Sequence, residues 1–243
     1  MQIHGAVALV TGANRGLGRE FARQLVERGA TVYAAARRPE TIDLDGVTPI
    51  RLDITDPAQV AAAARAAGDV SLLINNAGIA TGADLVAGDL ELARREMDTH
   101  FWGTASMLRA FAPVLAGNGG GAAVNVLSAL SWFSVPGSGA YHAAKAAEWA
   151  LTNSARLELA GQGTLVTGVH LGAADTDITK GFDGPKASPR EVVDATLAGV
   201  EQGATEVLVD EWSRLVKSAL ADAPAERDAR IAAALSAAIA AHR

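Results

Sequence analysis

The chain has 243 residues, 49% of them hydrophobic and 20% charged, which is enough apolar material for a sizeable core and excludes intrinsic disorder as its organising state. It has no cysteine, so disulfide frameworks, thiolate metal sites and cysteine nucleophiles are excluded, and the composition fits a reducing, cytoplasmic setting. With 21 basic and 27 acidic residues the net charge is −6, and without a long Lys/Arg block nucleic acid is not an expected partner. No apolar run reaches the length of a signal core or a membrane span, so no membrane partner is expected. The five histidines (His4, His100, His142, His170 and His242) lack any metal-ligand spacing, and no metal site is expected. A chain of this length is expected to form one domain over 1–243, with an Ala-rich helical extension at about 211–243.

Short β-branched or apolar runs alternate with longer segments of helical periodicity, and this rhythm predicts a Rossmann-type doubly wound parallel sheet of about seven strands with helices on both faces. Strands are predicted near 6–11, 31–36, 48–52, 70–75, 122–127, 165–170 and 206–209. Helices are predicted at 17–28, 57–67, 90–115 and 138–160, stopped by Gly29, Gly68, Gly117 and Gly161. Asp56-Pro57 and Ser188-Pro189 read as an N-cap followed by a first-turn proline. The glycine-rich stretch 117–121 precedes a strand where a phosphate loop should follow one, so it reads as a plain loop. Ile231, Leu235 and Ile239 predict a C-terminal helix with a narrow apolar stripe.

Gly12, Asn14, Arg15, Gly16, Leu17 and Gly18 follow the first strand and open a helix. There free N–H groups and the helix dipole can hold a dinucleotide pyrophosphate, and glycines permit the tight turn. An NAD site usually presents an acid at the end of the second strand, but this strand runs into Arg37-Arg38. With Arg15 these guanidinium groups can converge on a 2′-phosphate, which favours NADPH/NADP over NADH; the alternative is that Arg37 and Arg38 are solvated loop charges. Tyr141 and Lys145 are four residues apart on one predicted helix face. A tyrosine useful near pH 7 needs its pKa lowered by about 3 units, roughly 4 kcal/mol, and a neighbouring ammonium has the right sign.

The glycine turn, Asn75-Asn76-Ala77-Gly78, Ser128 and Tyr141-x-x-x-Lys145 together resemble the short-chain dehydrogenase/reductase family from about residue 7 to 209. The resemblance implies Tyr141 as proton donor, Lys145 as the group that lowers its pKa and binds the nicotinamide ribose, and Ser128 as the hydroxyl that polarises a substrate carbonyl. Ser128, thirteen residues before the tyrosine, is selected over Ser131 and Ser134. It further implies that Asp53 and Ile54 meet the adenine, that Asn76, Ala77 and Gly78 face the cofactor, and that the stretch from Gly172 to Thr176 clasps the nicotinamide amide. Two positions depart from the pattern. His100 stands where most members carry an asparagine that extends a proton relay, and either substitutes for it or is a tolerated helix residue. Leu171 stands where the family usually has proline.

The expected activity is reversible, NADPH-dependent reduction of a ketone or aldehyde to an alcohol. Two alternatives use the same site: a non-catalytic dinucleotide-binding sensor, and a reductase of C=C or C=N bonds. Trp102, Trp132 and Phe133 suggest an aromatic pocket wall, and 173–188 reads as a substrate lid. The expected partners are a small carbonyl or alcohol substrate and further copies of the chain, as a homodimer or homotetramer. The resemblance places pairing on the helices at 90–115 and 138–160.

Overall fold

A computed structural model describes residues 1–242; Arg243, the end of the predicted extension, and the side chain of His242 lie outside the described residues. Seven parallel strands form one sheet: β1 (Val7–Thr11), β2 (Thr31–Ala36), β3 (Val47–Arg51), β4 (Leu72–Asn75), β5 (Ala122–Val126), β6 (Leu165–His170) and β7 (Glu206–Leu208), in the order β3-β2-β1-β4-β5-β6-β7. The helices are α1 (Gly16–Glu27), α2 (Pro57–Ala66), α3 (Leu90–Met97), α4 (Thr104–Gly117), α5 (Gly139–Glu158), α6 (Pro189–Glu201), α7 (Glu211–Ser218) and α8 (Pro224–His242). This is the predicted doubly wound sheet, with strand bounds shifted by one or two residues.

The inner strands β1, β4, β5 and β6 are buried on both faces, whereas the edge strand β3 has no buried residue, and the alternation divides the core into two layers. Ala8, Val10, Leu72, Ile74 and Val124 pack with Phe21 and Leu25 of α1 and Val193 and Leu197 of α6. Their neighbours Leu9, Leu73 and Ala123 point the other way, onto Val60 of α2 and Met107, Phe111 and Leu115 of α4. The order reverses between β1 and β4, so the connections leave to opposite sides there and open a crevice at the carboxyl ends of the strands.

Three local features differ from the predicted ones. The helix expected over 90–115 is two helices joined by a wide π turn, Asp98–Gly103, which carries His100. Gly29 adopts the predicted left-handed stop with φ 79°, but beyond α4 and α5 the positive φ falls on Gly119 and Gly163, because Gly117 still belongs to α4 and a 3-10 turn follows α5. Gly68 is not left-handed, α2 having already ended at Ala66. The two predicted caps form: Asp56 accepts from the N–H groups of Ala58 and Gln59 at 2.9 and 3.3 Å, and Ser188 makes a capping box with Glu191.

Ile231 of α8 is buried with Trp132, Phe133, Val216 and Ala219, so the C-terminal helix packs on its own chain at that point of its apolar stripe. Among the described residues no helix is long and apolar enough to cross a membrane.

Candidate active site

The crevice is a cleft of about 770 Å³. It gathers Gly12, Asn14, Arg15, Gly16 and Leu17 of the glycine turn, Arg37 and Arg38 beyond β2, and Asp53 and Ile54 beyond β3. Asn76, Ala77 and Gly78 beyond β4, His100, Ser128, Tyr141, Lys145, Gly172 and Thr176 complete the set of predicted positions that line it. Gly18 does not line the cleft but sits behind the turn. A Cβ there would lie 2.2 Å from the Gly12 carbonyl oxygen and 2.6 Å from Asn76 Nδ2. Asn76 belongs to the same bracket: its Nδ2 donates to the Thr11 carbonyl at 2.9 Å, and its N–H donates to Thr11 Oγ1 at 2.9 Å. Gly18→Ala must therefore force backbone apart. It is expected to cost about 2–3 kcal/mol of stability and to abolish dinucleotide binding, read by denaturant unfolding and by NADPH fluorescence titration. Gly117→Ala, where a Cβ meets nothing within 4 Å, is the matched control.

The N-terminus of α1 suits an anion. Its N-cap Arg15 makes no side-chain cap and its first turn has no acid, whereas α2, α3, α6 and α7 are each capped by an Asp or Ser side chain. The first-turn N–H groups thus lack a capping acceptor, and glycines leave the backbone open to a phosphate. Arg37 and Arg38 are exposed at the adenosine end expected of such a site. Arg15 reaches across to Asp177 at 2.7 Å, tying the glycine turn to the segment predicted as a lid. That segment is anchored at its ends by a bridge between Ala174 and Ala187. The donor set fits a dinucleotide.

At the other end of the cleft lies a buried polar cluster. Tyr141 and Lys145 lie one turn apart on α5, and Lys145 Nζ donates to the Val126 carbonyl at 2.8 Å and to Glu148 Oε2 at 2.7 Å. Thr104 Oγ1 donates to the other Glu148 oxygen at 3.0 Å. Burial pushes the Tyr141 phenol above its ordinary range; the Lys145 ammonium and a hydrogen bond with Ser128 pull it down, while the Glu148 and Glu96 charges push it up. Burial pulls the Lys145 ammonium down, but the Glu148 carboxylate with Tyr141 and Glu96 outweighs it and holds the amine above its usual value. Burial likewise raises Glu148, against the opposing pull of Lys145 and Thr104.

His100 Nε2 lies 2.7 Å from the Ile79 carbonyl, a contact that requires the ring to carry its proton on Nε2. Its Nδ1 is left as an acceptor 3.8 Å from Glu148 Oε2, with no hydrogen-bond partner. Burial, assisted by the Lys145 charge, pulls this imidazole down to about 3, and burial pulls His170 down to about 4. On unfolding both return to about 6.5, so below that pH the unfolded chain binds protons that the folded chain refuses. Stability is therefore expected to hold above about pH 6.5 and to fall on acidification toward pH 4, by about 1.4 kcal/mol per histidine per pH unit. Urea unfolding at a series of pH values measures it. An unchanged slope in His100→Asn would assign the acid loss to other groups.

The aromatic wall is a correction. Trp102, Trp132 and Phe133 do not line the cleft: Trp102 is 60% exposed, Trp132 stacks on His170 at 3.7 Å, and Phe133 meets Trp212 edge-on at 5.7 Å. The 3-10 turn after Ser128 directs the two rings into the core beneath α7 and α8, which need apolar cover. Of the rival serines, Ser131 is buried outside the cleft and Ser134 is exposed. His142 is buried with neither ring nitrogen partnered and does not line the cleft. Leu171 is buried, and its carbonyl accepts from the Ala129 N–H at 2.8 Å.

Asn75, named from the sequence together with 76–78, lies buried behind the cleft and does not line it. Several polar residues here escaped the sequence reading. Glu148 is one; Glu96 is fully buried and accepts from the Thr81 N–H at 2.6 Å. Asn75 Nδ2 donates to Asn125 Oδ1 at 2.8 Å, Asn125 Nδ2 to Thr152 Oγ1 at 2.8 Å, and Thr152 Oγ1 to the Glu148 carbonyl at 2.7 Å. This chain locks β4, β5 and α5 together behind the cleft. An Asn inside an otherwise apolar strand was the available signal, since a buried amide needs partners.

A crossover sheet with a glycine turn at its switch point and a Ser, Tyr and Lys in one cleft defines a dinucleotide-dependent oxidoreductase by class. The family model for short chain dehydrogenases matches residues 6–186, and the chain belongs to the short-chain dehydrogenase/reductase family. The putative oxidoreductase SadH of Mycobacterium tuberculosis is 32% identical over 196 residues, 72% of this chain and 69% of the relative. The NADPH-dependent 1-acyldihydroxyacetone phosphate reductase of Schizosaccharomyces pombe is 34% identical over 70% of this chain and 60% of its own. The crystal structure of a short chain dehydrogenase from Burkholderia cenocepacia in complex with NADP superposes with a TM-score of 0.91 at 42% identity, covering 95% of this chain and 99% of that one. The protein is an NAD(P)-dependent oxidoreductase of this family.

Proposed function

We propose that the protein reduces a ketone or aldehyde to an alcohol, reversibly, with NADPH as cofactor and Tyr141 as general acid/base. The observation that carries this reading is one cleft lined by Ser128, Tyr141 and Lys145 at one end and by the glycine turn with Arg15, Arg37 and Arg38 at the other. The NADP-bound Burkholderia protein and the NADPH-dependent yeast reductase support the cofactor choice.

In this reading Gly12, Asn14, Gly16 and Leu17 would hold the pyrophosphate, with Gly18 and Asn76 keeping the turn closed behind it. Arg37, Arg38 and Arg15 would take the 2′-phosphate, Asp53 and Ile54 would border the adenine, and Asn76, Ala77 and Gly78 would face the cofactor. Gly172 and Thr176 would approach the nicotinamide amide. The bound cofactor supplies the hydride. Negative charge then builds on the carbonyl oxygen, where the Ser128 and Tyr141 hydroxyls donate hydrogen bonds, and the Tyr141 proton completes the alcohol. Lys145 holds the ribose with the donor that Val126 and Glu148 leave free. His100, neutral and fixed by Ile79, is a positioning group at the back of the site.

Exposed Trp102 on the π turn and Leu157 on α5, 60% and 80% exposed, support a homodimer or homotetramer through these helices, which light scattering tests. The cysteine-free composition supports a cytoplasmic setting. The decisive experiment is fluorescence-detected binding of NADPH and NADH alongside NADPH oxidation over a panel of aliphatic and aromatic ketones and aldehydes. Turnover with NADPH is the expected result; tight binding without turnover on any member would favour the sensor, and turnover only on alkenes or imines the other reductase chemistry.

A further inference from the structure

We propose that Glu148 is a positioning residue whose carboxylate, seated between Lys145, Thr104 and His100, neutralises the lysine's charge and so keeps the proton on Tyr141, poising the site to donate. This rests on the reading of Tyr141 as the proton donor.

The geometry is specific. Glu148 is 2% exposed and takes Lys145 Nζ on Oε2 at 2.7 Å and the Thr104 hydroxyl on Oε1 at 3.0 Å, so both carboxylate oxygens are engaged inside the protein. Lys145 Nζ lies over the Tyr141 ring, 5.9 Å from its centroid, while it donates to Glu148. The groups that face the phenol are Lys145, Glu148 and His142 from α5, His100 from the π turn, Glu96 from α3, and the Ser128 hydroxyl from the turn beyond β5. His100 is neutral, held down to about 3 by burial, and burial also lowers His142.

The consequence follows from counting charge in a buried place. With Lys145 and Glu148 both ionised, removing the phenolic proton leaves one uncompensated negative charge away from water, which is costly. With a neutral group at position 148 the same step leaves a tyrosinate beside an ammonium, a neutral pair. Glu148 therefore opposes the effect that Lys145 alone would have on Tyr141 and favours the protonated phenol, the form a reductase needs.

The chain has only two tyrosines, so protein labelled with 13C at tyrosine Cζ gives two signals, assigned by Tyr141→Phe, and a pH titration reads the Tyr141 proton without any substrate. In the wild type the Tyr141 midpoint is expected above about 10, the ordinary tyrosine value. In Glu148→Gln it is expected to fall by about one unit, while Tyr33, on β2 three strands away from β5, does not move. Glu148→Asp, which keeps the charge, is expected to return most of the displacement. A wild-type midpoint below about 9, or a Tyr141 midpoint in Glu148→Gln that is unchanged or higher, overturns the proposal. The wild-type titration stands if the glutamine variant does not fold. Because the readout needs no turnover, a failed substrate screen leaves this test intact, and failure here leaves the reductase assignment to the panel.

Discussion

Tyr141→Phe is expected to lower kcat/KM for carbonyl reduction by about 10²- to 10⁴-fold, the range for removing a positioned general acid, while NADPH affinity changes little. The loss follows from position: the phenol lines the cleft next to Ser128 and Lys145, and substitution removes the oxygen alone and keeps the ring. Ser128 cannot replace it. A serine hydroxyl can donate a hydrogen bond to the developing oxyanion, but it is too weak an acid to surrender its proton near neutral pH. The NADPH titration separates the two roles, since a fall in cofactor affinity parallel to the rate would mean a damaged site rather than a missing proton. A variant within tenfold of the wild type would remove Tyr141 from the proton transfer and leave the donor to be found elsewhere in the cleft.

Replacing Arg37 and Arg38 together by serine is expected to weaken NADPH binding by about 100-fold and to leave NADH binding nearly unchanged. Hydrogen bonds to a charged group are worth about 1.5–3 kcal/mol, and 1.4 kcal/mol is tenfold in affinity. Both side chains are exposed, so the contribution is screened and the discrimination should shrink as salt is raised. Arg15 contributes less in its present state because its guanidinium is engaged by Asp177, and Arg15→Ser is expected to give the smaller effect of the two. Parallel fluorescence titrations with both cofactors at low and high ionic strength decide it. Equal losses for NADPH and NADH would mean that the arginines hold the turn and do not read the 2′-phosphate.

Much of this molecule was legible in its sequence for local reasons. A left-handed glycine, a capping Asp or Ser and an apolar run bounded by turns act over a few residues, so the order of strands and helices and the place of the glycine turn could be read directly. Ser128, Tyr141 and Lys145 were readable because their spacing is tied to one strand end and one helix face. The glycine stops beyond α4 and α5 were missed by two residues, since helix ends are decided by which carbonyls the following loop can satisfy. Glu148 was readable as an i, i+3 partner of Lys145, but such pairs are usually solvated and carry no signal of burial.

By itself, then, the sequence determined the doubly wound fold, the glycine turn and the three side chains placed at the cleft, because each depends on hydrogen bonding and periodicity within a short stretch. The tertiary structure alone decided which polar groups lose their water. It closed Glu148, Thr104 and His100 around Lys145, turned Trp132 and Phe133 away from the cleft into the packing of the C-terminal helices, and brought Asp177 to Arg15 across 162 positions of sequence. The charge a buried group carries depends on neighbours from several distant elements, and those neighbours exist only once the sheet and its helices have packed.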